Sequence, residues 1–185
     1  MTLRKRTAAE YTLLGICALL ALVISPFTLI RFIVGDYTLA LLDLGLLLGM
    51  LGICTYVFKT GNTTIPGYIT AGTFVFGATC TIYLRGIDQI HWAYPALVII
   101  FYFLHPKLAM LLSGIAIVAI LPLLEPLAAP LPALKIFSTL TVNVVCAYIF
   151  ASVTRKQRLE LQTLTKKDPL TQIGNRRAMD VAISE

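Results

Sequence analysis

Residues 11–34 read YTLLGICALLALVISPFTLIRFIV, a run whose single charged residue is Arg31. Coiled as a helix at 1.5 Å per residue, a run of this length extends about 36 Å and exceeds the ~30 Å hydrocarbon core of a bilayer. A secretory signal would also open on a basic cluster such as MTLRKR. Its apolar part, however, is only about 7–15 residues and ends in a small-x-small cleavage site, and no such site precedes Pro26. The run is therefore expected to be a retained membrane helix.

Working outward, the chain repeats this pattern. Of 185 residues, 58% are hydrophobic and 13% charged, against about 25% charged in an ordinary soluble domain. The expected fold is an all-α membrane protein, a six-transmembrane-helix bundle with spans at Tyr11–Val34, Tyr37–Phe58, Ile65–Leu84, Ile90–Leu104, Leu108–Leu124 and Leu134–Val153. The fourth is the shortest, about 22 Å as a helix, so it starts earlier or sits in thinned bilayer. The connections Gly35–Asp36, KTGNTT, RGIDQ and HPK are short enough to make antiparallel neighbours, with Pro106 suited to the first position of a helix. The longer EPLAAPLPA carries Pro126, Pro130 and Pro132, which favour extended backbone, either as a stiff connector or as a lid over the outer mouth.

Charge placement sets the expected orientation. With both ends in the cytoplasm, the inner side receives Arg4, Lys5, Arg6, Lys59, Lys107, Arg155, Lys156, Arg158, Lys166, Lys167, Arg176 and Arg177, leaving Arg31, Arg85 and Lys135 outside. The positive-inside rule reads that asymmetry as N-in, C-in, in a bacterial inner (plasma) membrane. The net charge of +6 then reports contact with membrane lipid headgroups, and no nucleic-acid partner is expected.

An ionisable side chain within a span is costly unless paired and so marks a candidate site. Arg31 lies about five residues before the first outer loop and Asp43 about seven after it, so their depths agree within a few Å. They are placed either as a structural ion pair or as the polar floor of a ligand pocket, with Asn143 contributing if the last span tilts inward. His91, Trp92 and Tyr94 fit an aromatic belt at the interface, which adds Trp92 and Tyr94 to the candidate pocket residues. His91 and His105 are about 21 Å apart along a helix, too far to ligate one haem iron. Cys17, Cys54, Cys80 and Cys146 fall inside spans as small apolar residues. Gly45, Gly49 and Gly52, with Gly67, Ala71 and Gly72, mark smooth helix faces expected to pack closely on other helices. No paired carboxylates, zinc-ligand spacing or phosphate-binding loop is present, so this chain is not expected to be an enzyme or to hold a cofactor. A small transporter would show inverted repeats and broken helices; no convincing repeat is visible, and Pro26 is the main candidate for a break.

After the last span, AYIFASVTRKQRLELQTLTKK lacks Pro and Gly, so the helix is expected to run on into the cytoplasm. Phe150, Val153, Gln157, Leu161, Leu164 and Asp168 are spaced 3, 4, 4, 3 and 4, a heptad-like seam with a stutter at Gln157 that points to a coiled coil in a homodimer. The alternative is an amphipathic helix at the headgroups. At Asp168–Pro169 the helix should stop.

The run KKDPLTQIGNRRAMD that follows resembles the opening of the GGDEF family, the diguanylate cyclases, which begins Asp-x-Leu-Thr-x-Leu-x-Asn-Arg after a signalling helix. Asp168, Leu170, Thr171, Asn175, Arg176 and Arg177 stand at matching positions, with Ile173 in place of the usual Leu and Gln172 where Gly is common. The resemblance implies a parent protein that condenses two GTP, with Mg2+, into cyclic di-GMP. It also implies that this chain holds the sensor at residues 1–153, a signalling helix at 154–167 and the truncated start of the GGDEF domain at 168–185, without the family's GG[DE]EF loop. Asp168, Thr171, Asn175 and Arg176 would then be structural and coupling residues. The short outer loops argue against a large protein ligand and leave a small or lipid-like ligand (an amphiphile, a lipid, a quinone) or the membrane itself as the signal. A sensor-kinase output is the rival reading; it would place a His-Glu phosphoacceptor pattern after the coil.

Overall fold

The computed structural model describes residues 6–124 and 130–166, and every element within them is helical. The elements are α1 (Ala8–Val34), α2 (Tyr37–Thr60), α3 (Thr64–Arg85), a 3-10 segment (Ile87–Trp92), α4 (Ala93–Phe103), α5 (Pro106–Ile120) with a 3-10 extension (Leu121–Leu124), and α6 (Pro130–Lys166). Five of these helices are long and apolar enough to cross a membrane. Their outward faces carry large apolar side chains, Ile33 84% and Leu22 70% exposed among them, a surface that suits lipid and not water.

Local chemistry sets the helix ends. Thr7 and Glu10 form a reciprocal capping box at the start of α1. Gly35, in the left-handed region at φ 83°, turns the chain sharply into α2. Pro26 does not break α1: proline leaves the carbonyl four residues earlier without its donor, and the Ser25 hydroxyl donates to that Leu22 carbonyl at 3.3 Å. Pro130 and Pro132 do not extend the connector as expected; they form the first turn of α6. The N–H groups of a first turn have no intrahelical acceptor, so proline loses nothing there. Glu125 and Pro126 lie outside the described residues.

The fourth segment departs most from expectation. In place of one helix over Ile90–Leu104 there is a six-residue 3-10 segment and then an α-helix of 11 residues. Two prolines explain it. Pro95 is tolerated only in a first turn, so the α-helix cannot begin much earlier, and Pro106 holds His105 extended at ψ 137°. The segment still runs the length of α3, because it starts just after α3 ends and its last helical residue, Phe103, packs against Gly67 in the first turn of α3.

α1 packs on α2, α2 on α3, α3 on α4 and α5, and both α4 and α5 on α6. The short α4 is the centre of the arrangement. Its Leu97 and Ile100 are buried with Ile82 of α3, Ala109 and Ile120 of α5, and Leu140 and Val144 of α6, while its Ala96 belongs to a second cluster with Ile24, Met50 and Phe74. The two glycine faces differ within the chain: a Cβ on Gly67 would lie 3.5 Å from Phe103 and Ala71 is buried, as expected of a packed face, whereas the α2 face is open. A Cβ on Gly45, Gly49, Gly52 or Gly72 would meet nothing within 4 Å. The tight approach is at Gly77, where a Cβ would lie 2.9 Å from Leu46. Glycine spacing shows that a helix has a smooth strip; the heavier residues Leu39, Asp43, Met50 and Val57 decide that α2 turns its other face inward.

Candidate ligand cavity

The end of the bundle where α1 meets α2, called here the upper end, holds a cavity between α1, α2, α3 and the fourth segment. The cavity itself is small, about 60 Å³, and opens outward at its mouth. The walls are apolar, from Ile24 and Phe27 on α1, Leu46 on α2, Phe74 on α3 and Ile99 on α4. Gly77 also lines it, so the missing side chain at that position both admits Leu46 and leaves room.

Its polar groups are few and named. The Arg31 guanidinium donates to the Asp43 carboxylate across the tight hairpin, with side chains 14% and 7% exposed. Both line the cavity. Five N–H donors on the guanidinium and two carboxylate oxygens leave spare capacity after one such bond. The Thr81 hydroxyl donates to the Gly77 carbonyl at 2.9 Å. Trp92 closes one side, edge-on to Phe27 with ring centroids 5.3 Å apart. Above the pair, Asp36 accepts from Arg85 and caps α2 through the Leu39 N–H. The hydrogen bond from Arg85 holds the Asp36 carboxyl below the ordinary carboxylate range.

Of the five residues proposed for a pocket, the structure brings Arg31, Asp43 and Trp92 together and separates Tyr94 and Asn143. The latter two meet on the other side of α4: the Asn143 amide donates to the Tyr94 carbonyl at 3.2 Å, and the Tyr94 hydroxyl shares a hydrogen bond of 2.6 Å with Thr139. They join α4 to α6. The sequence reading missed this because Tyr94 and Trp92 are close in sequence, whereas a short helix turns residues two apart to opposite sides. It also missed Phe27 and Gly77, for which no signal short of the packed structure exists.

Along α6, Phe150, Val153, Gln157 and Leu161 are all exposed on the single chain. Leu164 lies near the end of the described helix, and Asp168, Thr171, Asn175 and Arg176 lie outside the described residues. Among the described residues no three His, Cys, Asp or Glu gather as a metal site, and the four cysteines are free. His105 caps α5 by accepting from the Lys107 N–H at 3.3 Å.

No family model, curated protein or solved structure matches the chain.

Proposed function

We propose that this chain is the membrane sensor and dimerisation module of a diguanylate cyclase, taking a small amphiphile in the upper cavity and passing its occupancy to a cytoplasmic domain after residue 168. The observation that carries the reading is the position of α4. One face of this short helix borders the cavity through Ala96 and Ile99, and another is tied to α6 by Tyr94. α6 then continues as one helix from Pro130 to Lys166, about 55 Å at 1.5 Å per residue. A ligand that moves α4 moves the top of α6.

In this reading the fourth segment is the sixth crossing, supported by its run along α3; at 2.0 and 1.5 Å per residue its 3-10 and helical parts sum to about 28 Å. Both termini are then cytoplasmic, in a bacterial inner membrane, and two copies meet along the seam through Phe150, Val153, Gln157 and Leu161. The ligand is an apolar body with one polar end, because polar groups line only one end of an otherwise apolar cavity. GTP and Mg2+ belong to the catalytic domain that the resemblance places beyond this chain.

Three measurements test the reading. Continuing the reading frame past Glu185 should reveal a GG[DE]EF motif within about 100 residues, a domain's length; its absence removes the cyclase. In the full-length protein, Gln157→Leu should bias cyclic di-GMP output by favouring one register of the seam. Unchanged output at matched expression removes the seam as the coupling element. Trp92 is the single tryptophan of the chain, so its fluorescence should shift when a short-chain quinone or fatty acid enters the cavity, and the shift should weaken in Arg31→Gln.

A further inference from the structure

A second cavity lies at the opposite, lower end, as an open groove of about 580 Å³ between α4 and α6. Val98, Tyr102 and Leu104 of the fourth segment form one wall, and Ala147, Phe150 and Ala151 of α6 form the other. Up to the arginines it follows α6 from Ala147 to Thr154, about 10 Å, roughly two thirds of the depth of one leaflet of a ~30 Å hydrocarbon core. Its walls are exposed on the single chain: Val98 is 42% and Phe150 74% accessible. The apolar part ends at Arg155 and Arg158.

The two arginines are three residues apart and so share a face of α6. Among the described residues neither meets a carboxylate; the nearby Glu160 is approached instead by Lys156, at 3.9 Å on the adjacent face. Pro106, the first residue of α5, lines the same groove. An apolar groove closing on two arginines that meet no carboxylate among the described residues is complementary to one ligand class, an acyl chain bearing a phosphate.

We infer that the α4–α6 groove is a binding site for one anionic phospholipid, with an acyl chain along Val98, Tyr102 and Phe150 and its phosphate on Arg155 and Arg158. Paired N–H donors of a guanidinium match phosphate oxygens and make charge-assisted hydrogen bonds to them. The inference is independent of the upper cavity and of any cyclase. It makes α6 responsive to lipid at the point where the helix leaves the bundle.

The test is native mass spectrometry of the full chain released from micelles with dioleoyl phosphatidylglycerol or dioleoyl phosphatidylcholine added. One phosphatidylglycerol should be retained at least about tenfold more tightly than phosphatidylcholine, as two basic groups near an anionic headgroup predict. Arg155→Gln with Arg158→Gln should abolish the preference, Lys156→Gln should leave it, and Val98→Trp, which fills the groove from an exposed position, should weaken retention of both lipids. Equal retention of the two lipids overturns the site. So does competition by inorganic phosphate together with indifference to Val98→Trp, which would indicate a free-phosphate site. Efficient disulfide crosslinking of Val98→Cys, on the α4 wall away from the α6 seam, between two copies in membranes, with the four native cysteines replaced by alanine, would seat a second chain in the groove and also overturn it.

Discussion

At Arg31 and Asp43 the energetic argument is asymmetric. A buried ion pair contributes little beyond an apolar pair of the same size, yet removing one partner strands a charge in a medium that cannot solvate it. Arg31→Met should therefore destabilise the bundle by about 3 kcal/mol, and Arg31→Met with Asp43→Leu should recover most of the loss. Thermal melts in detergent read both, and equal melting of the single and double variants would show that the charges act independently. Asp36 behaves differently because it lies outside the spans. Its carboxyl, held below the ordinary range by Arg85, binds protons less readily folded than unfolded, so the contribution is fully present above the ordinary carboxylate range. It is lost as pH falls through the lowered value. The melting temperature of the wild type should exceed that of Asp36→Asn at neutral pH, and the gap should close on acidification. A gap that persists at low pH would assign the effect to helix capping alone.

At the scale of the element, the prolines around α4 show what sequence patterning can and cannot reveal. Helices α1, α2 and α3 were legible from apolar length and from Gly35, Gly61 and Gly86, whose positive φ angles of 83°, 70° and 88° end the helices where expected. The fourth segment was legible as an apolar run whose start could lie before Ile90. Its division into 3-10 and α parts depends on Pro95, which composition counts as one residue of a run. The α2 glycines show another limit: spacing fixes which residues share a face, and only the rest of the helix fixes where that face points. Gly49→Ala should be neutral or stabilising by up to ~1 kcal/mol, since alanine gains helix propensity and meets open space. Gly77→Val should destabilise, because its branches would enter the Leu46 contact already at 2.9 Å from a bare Cβ. The difference between the two melts is the measurement; a Gly49→Ala loss as large as that of Gly77→Val would mean that the open face is covered in the membrane.

For the whole molecule, the arrangement of crossings is the decisive property, and it reduces to which side each turn faces. Single cysteine reporters at Asn62, Asp88 and Lys107, in a chain whose native cysteines are replaced by alanine, should alternate in their labelling by an impermeant maleimide: inside, outside, inside. Asp88 and Lys107 on one side would remove the fourth crossing and put the end of α6 outside the cell. The candidate cavity was half legible at this scale. The Arg31–Asp43 register across a two-residue hairpin follows from counting, but the walls that enclose it come from four different segments, and no local pattern encodes their meeting. The length of α6 carries a mechanical consequence. Beyond Val153 it continues to Lys166 without a break, a stiff arm of about 20 Å. A tilt of about 10° where it leaves the bundle, well within the range that membrane helices adopt, sweeps its tip sideways by roughly 3.5 Å. The arm is thus a lever, and displacements too small to notice at Tyr94 emerge amplified at its free end.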